Sequence, residues 1–148
     1  MYKKTLQAGW GDMDFNSHMG NVAYLNKAAD VRMLFFSEHG FPMSEFVRFK
    51  IGPVIQKDEI EYFREVNLLD EITVTFEGAG LAEDGSRFIL RNEFFRTDGK
   101  LIARVTSTGG WLDLTQRKLA SAPPALLEAM KTLSPTTDFQ HLPSGIKA

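Results

Sequence analysis

Between Trp10 and Leu25 the chain concentrates the groups most capable of chemistry. Asp12 and Asp14 supply carboxylates, His18 an imidazole, Asn16 and Asn21 carboxamides, and Gly11 and Gly20 backbone freedom. An apolar helical pattern begins directly after them. A carboxylate beside a helix N-terminus can attack an acyl carbon or activate a water, while a free backbone N–H polarises the acyl oxygen. Asp14 is the carboxylate so placed. Residue type alone favours an Asx turn or a capping role for it over catalysis. His18 reads as a hydrogen-bonded supporting group. Asn16 reads as a turn residue, Asn21 as the N-cap and Asp12 as a solvent-facing carboxylate.

The elements that must position these groups follow from the periodicity. Residues 1–8 suit a first strand and 9–20 a loop. Val22, Leu25, Ala29, Met33 and Phe36 then recur at helical spacing, with Ala28, Val31 and Phe35 widening the stripe. Gly40 and Pro42 stop the helix. From Gly52 the period is two, as in Ile72, Val74 and Phe76 alternating with threonines. Thr97-Asp98-Gly99-Lys100 and Glu83-Asp84-Gly85-Ser86 mark turns between strands. Pro123 or Pro124 opens a short helix ending near Thr132. The order is strand, long buried helix, then antiparallel strands, which predicts an α+β fold. Residues 1–133 form the expected single domain and 134–148 an expected flexible C-terminal tail. A single sheet wrapped on one helix leaves an open edge, so self-association is expected. The phenylalanines at 35, 36, 41, 46 and 49 are assigned to the core, with one or two available to line an acyl pocket.

Composition narrows the chemistry. The 148 residues suit one domain, and 17 basic against 19 acidic side chains leave a net charge of −2. With no basic cluster interleaved with aromatics, nucleic acid is not an expected partner. Cysteine is absent, which excludes disulfides, thiol nucleophiles and Cys-based metal sites. His18, His39 and His141 show no zinc-ligand spacing, so neither metal nor cofactor is expected. No stretch has the length of a transmembrane segment, and a cytoplasmic protein without a membrane partner is the expectation.

The motifs together resemble the hotdog-fold acyl-CoA thioesterases, in the branch that includes hydroxybenzoyl-CoA thioesterase. The resemblance rests on Asp12-Met13-Asp14, His18-Met19-Gly20-Asn21 and Tyr24. It continues through Gly52-Pro53-Val54, Tyr62, Asp70-Glu71-Ile72, Ser86-Arg87-Phe88 and Trp111-Leu112-Asp113, and so spans Leu6 to Met130. It implies an antiparallel sheet wrapped around one central helix. It also implies hydrolysis of an acyl-CoA, with CoA as part of the substrate. Asp14 is then the nucleophile or general base, the backbone amide near Asn21 polarises the thioester carbonyl, and His18 supports. Asn16, Gly20 and Tyr24 fall at the substrate. The resemblance further implies a homodimer or homotetramer. Two departures stand out. Ser17 and Gly20 replace the family's usual glycine and asparagine, and Glu83 and Asp84 stand where some members carry basic residues. Arg87 is the one candidate left there for the CoA phosphates.

Two other readings fit parts of the pattern. Asp14-Phe15-Asn16-Ser17-His18 resembles the motif of hotdog enoyl-CoA hydratases, but lacks the proline and brings the histidine one residue early. A non-catalytic acyl-binding module would keep the fold without needing Asp14.

Overall fold

The computed structural model describes residues 1–146; Lys147 and Ala148, the end of the expected tail, lie outside the described residues. In chain order the elements are β1 (Tyr2–Gln7), α1 (Asn21–Glu38), α2 (Met43–Phe49), β2 (Ile51–Tyr62), β3 (Glu71–Ala82), β4 (Arg87–Arg96), β5 (Leu101–Asp113), β6 (Lys118–Leu119), α3 (Pro124–Lys131) and β7 (Pro135–Leu142). One sheet runs in the order β1-β3-β4-β5-β2, antiparallel throughout, with β6 added to β5 and β7 to β3. The expected α+β hotdog architecture is present, with α1 lying against the inner face of the sheet.

Period-two alternation builds that inner face. Ile72, Val74 and Phe76 of β3, Phe88, Leu90, Asn92 and Phe94 of β4, and Ala103, Val105, Ser107 and Trp111 of β5 are buried. Edge-on aromatic contacts join sheet and helices. Tyr24 meets Phe94 at 5.2 Å, Phe35 meets Phe76 at 5.2 Å and Phe36 meets Trp111 at 5.6 Å between centroids. Such contacts add about 0.5–1.5 kcal/mol each beyond the area they bury.

The helix buries a different side from the one its periodicity suggests. Ala23, Tyr24, Ala28, Val31, Arg32, Phe35 and Phe36 are buried, while Val22 and Ala29 are exposed and Leu25 and Met33 half-buried. An arginine therefore lies on the core side. Its Nε donates to Asn92 Oδ1 and its Nη2 to Ser107 Oγ, each at 2.8 Å. Ser107 Oγ in turn donates to Asp58 Oδ1, and Asn92 Nδ2 to the Thr75 carbonyl. Burial pulls the Arg32 guanidinium down to about 10, against the opposing pull of Asp58, so it is charged at neutral pH. Apolar periodicity cannot find a buried arginine, because its partners lie on distant strands. The segment after Pro42 also forms α2, which seats Phe41 and Phe46 in the core and leaves Phe49 partly exposed.

Residues 134–148 are not a free tail as far as they are described. Pro135–Leu142 forms β7 and pairs parallel with β3 between Gly78 and Ala82. Arg91 fixes it with both terminal nitrogens on Asp138, at 2.9 and 3.1 Å, which holds that carboxyl down to about 2. Beyond β7, Ser144 Oγ donates to Asp84, and the Gly145 N–H donates to Ser86 Oγ at 2.7 Å. The strand escaped the period-two test because its register is broken. Five steps from Pro135 to Gln140 span only two on β3.

Arg32→Ala is expected to cost about 3 kcal/mol, since it leaves the buried Asn92 and Ser107 without their charged donor. A urea denaturation midpoint measures it; an unchanged midpoint would mean that those groups find other partners.

Candidate active site

The loop preceding α1 is a built structure. A 3₁₀ turn at Trp10–Asp12 is followed by a two-residue bridge between Met13 and Met19 that closes the loop. The buried Met19 donates its N–H to the Val66 carbonyl at 2.9 Å, tying the loop to the segment before β3. Asp12 is the second anchor. Its Oδ2 accepts the Gly9 N–H at 2.7 Å and lies 3.0 Å from Lys27 Nζ on α1. Burial alone would raise the Asp12 carboxyl, but the Gly9 amide and the Lys27 ammonium outweigh it and hold the carboxyl below its ordinary value. The expectation of a solvent-facing Asp12 is therefore corrected. Lys27 found this partner because α1 carries it back over the loop.

Asp14 opens a tight turn in which its own N–H donates to the His18 carbonyl at 2.7 Å. Its Oδ1 accepts the N–H of Asn16 at 2.8 Å and of His18 at 3.2 Å. That is an Asx turn, and it aims the carboxylate. Among the described residues nothing bonds Oδ2. Ser17 takes up the left-handed conformation, φ 63°, at the place where the resemblance led to expect a glycine. A side chain costs about 1–2 kcal/mol there.

Gly20, and not Asn21, is the N-cap of α1; Asn21 is the first helical residue. A Cβ at Gly20 would lie 3.3 Å from Asp14 Cβ, so glycine lets the carboxylate-bearing residue press against the helix start. The amides of Ala23 and Tyr24 turn back to the Gly20 carbonyl. Those of Asn21 and Val22 have no protein acceptor among the described residues, as the first turn of a helix requires. They and the helix dipole favour negative charge at this point. Asp14 thus presents a free carboxylate oxygen beside open N–H donors, the two parts needed for acyl transfer.

The other expected residues divide. Tyr24 is buried one turn along, edge-on to Tyr62 and Phe94. Burial first, then Tyr62 and Asp14, push its hydroxyl up to about 12, so it is neutral at physiological pH. Asn16 is exposed and contributes its backbone N–H. His18 meets Asp14 through its backbone, while its ring Nε2 lies 3.0 Å from Glu65 Oε2. Arg87 is not brought to this cluster within the protomer. It lies seven residues along β4 from Phe94, about 23 Å of strand. Its Nε is buried without a partner among the described residues, and a Cβ at Gly145 would lie 3.2 Å from it. Sequence reasoning missed Lys27 and Glu65 as loop anchors; a lone lysine early in an apolar helix was the available signal. Trp10, Phe15 and Val22 stand exposed around the loop. Among the described residues no His, Asp and Glu side chains cluster closely enough to hold a metal ion, and no helix is long and apolar enough to cross a membrane.

A family model described as the thioesterase-like superfamily matches residues 8–130. No curated protein matches the chain. Several solved structures share its fold. A hypothetical protein from Staphylococcus aureus, solved in complex with CoA, is 21% identical, with 91% of this chain and 86% of that one covered at a TM-score of 0.80. A 1,4-dihydroxy-2-naphthoyl-CoA thioesterase from Synechocystis is 16% identical, with 89% and 96% covered at 0.78. The probable thioesterase YbaW from Escherichia coli is 21% identical, with 90% and 98% covered at 0.74.

Lys27→Met should free Asp12 and raise amide exchange across residues 9–20 by about tenfold, leaving the centre of α1 protected. Acid should loosen the loop in the same way. The folded Asp12 pKa lies below the unfolded one, so its contribution is complete above about pH 4 and is lost as pH falls through the folded value. Exchange rates that ignore both changes would remove Asp12 as an anchor.

Proposed function

Because the chain belongs to the thioesterase-like superfamily, a class of thioester hydrolases, we propose that it is an acyl-CoA thioesterase that releases a free acid and CoA. The observation that carries this reading is the close seat of Asp14 against Gly20, beside the unpaired amides of Asn21 and Val22. The CoA bound to the S. aureus neighbour and the naphthoyl-CoA substrate named for the Synechocystis enzyme support a CoA thioester as substrate.

In this reading the thioester carbonyl oxygen accepts from the helix-start amides near Asn21, which stabilise the negative charge growing on it. Asp14 then acts by one of two routes. As a nucleophile its carboxylate oxygen bonds to the acyl carbon, the carbon–sulfur bond breaks, and water cleaves the resulting anhydride. As a base it takes a proton from water, whose oxygen attacks the carbon directly. Both routes deliver the carboxylic acid and the CoA thiol. Tyr24 forms an apolar wall, Asn16 and Gly20 shape the approach, and His18 with Glu65 holds the turn. The ring of His18 engages Glu65, which weighs against the Asp–His pair that adding water to an enoyl-CoA would need. Arg87 serves CoA only where another protomer brings it to the site. Assembly as a homodimer or homotetramer is part of this reading, supported by the outer edge of β2 and the exposed Val22 and Ala29 side of α1. A cytoplasmic location fits a cysteine-free chain acting on CoA esters.

Asp14→Asn should lower kcat by at least ~10²-fold in a thiol-release assay over acyl-CoAs of graded length and aryl members. Gly20→Ala should cost about tenfold through displacement of Asp14, and His18→Ala less than Asp14→Asn. Wild-type turnover in folded Asp14→Asn would overturn the assignment.

A further inference from the structure

A second concave site lies at the other end of β3 from the Asp14 loop. There β7 extends the β3 edge, and between it and α3 lies a half-open cavity of about 610 Å³. This is within the range of small-molecule sites, ~300–1,000 Å³. Gly78 and Leu90 are its floor, Met130 and Leu133 one wall, and Phe139 the other. The glycine matters to its depth. A Cβ at Gly78 would point at Leu133 and Phe139, 3.6 and 3.9 Å away, so any longer side chain would occupy the space between them.

The lining is apolar in its depth and charged at its rim. Lys131, on the last turn of α3, is exposed and only loosely held by Glu128 at 3.7 Å. His141 faces the cavity beside the Phe139 ring, 5.3 Å between centroids. Glu83 is the carboxylate on the lining. It lies five residues along the chain from Gly78, about 16 Å of strand, beyond the ~8 Å over which exposed charges are felt at physiological salt. Lys131 is thus the cation at the Gly78 end, and its one ion pair among the described residues, with Glu128 on its own helix, is exposed and weak. The residues from Lys131 to Leu142 follow the span matched by the family model, which ends at 130. The cavity is therefore lined on one side by residues within that span and on the other by the segment that follows it.

We propose that this crevice binds a monocarboxylic acid with an extended apolar body, its chain between Leu133 and Phe139 and its carboxylate at Lys131. The proposal is independent of the role of Asp14. The test is fluorescence titration of the full chain with 11-(dansylamino)undecanoate, followed by displacement with dodecanoate. Saturable binding of one probe per chain, displaced by dodecanoate and retained in Asp14→Asn, is the expected result. Gly78→Leu should weaken it by about tenfold or more by filling the floor. Lys131→Glu, at an exposed position that does not endanger folding, should weaken dodecanoate about threefold and leave dodecanol unaffected. The proposal is overturned by absence of saturable binding, by its loss in Asp14→Asn, or by equal dodecanoate affinity in wild type and Lys131→Glu. A drop in sedimentation mass on Lys131→Glu or Gly78→Leu would also overturn it, because the crevice would then be covered by a second copy of the chain.

Discussion

Arg32 reaches from the middle of α1 to Asn92 on β4 and Ser107 on β5, with Tyr24 on one side along the helix and Phe35 and Phe36 on the other. The rings supply most of the free energy, but apolar contact tolerates sliding and rotation. Two charge-assisted hydrogen bonds at 2.8 Å do not. Rings and guanidinium together set where α1 sits on the sheet. That in turn decides where its first amides point. The loop of residues 9–20 is then tied to the same frame twice, by Lys27 on Asp12 and by Val66 on Met19. The placing of Asp14 is thus inherited from a buried arginine some distance along the helix.

Structure and chemistry do not compete at Asp14. One carboxylate oxygen is spent on the turn, accepting from Asn16 and His18, and among the described residues the other has no protein partner, as the proposed role requires. The turn costs backbone strain at Ser17 and removes the side chain at residue 20. Both are local violations of what a loop would choose for stability alone, and they cluster where the loop must be held to a set geometry.

Much of this was legible in the chain. The long helix, the alternating strands, the turn at Asp98-Gly99 and the short helix after Pro123 are local patterns, each readable from spacing. The anchoring work of Asp12 was not readable in the same way. What escaped depends on partners far away in the chain. Arg32 is buried because of Asn92 and Ser107, β7 exists because β3 has an unpaired half-edge, and Asp12 is anchored because helical geometry returns Lys27 to it. The N-cap slipped by one residue because Gly20 was chosen for lack of bulk beside Asp14, not for capping strength.

The two halves of one β3 edge are filled from opposite ends of the chain. β1 takes Glu71–Phe76 early, and β7 takes Gly78–Ala82 after every other strand has been made. During synthesis, the second half-edge must therefore wait with its backbone groups unpaired. The bulge at Gly78–Gly80 blunts that wait, since an irregular edge is a poor template for another chain. The backbone groups of Gly78–Ala82 on that edge thus gain their strand partner only from the last strand to be synthesised.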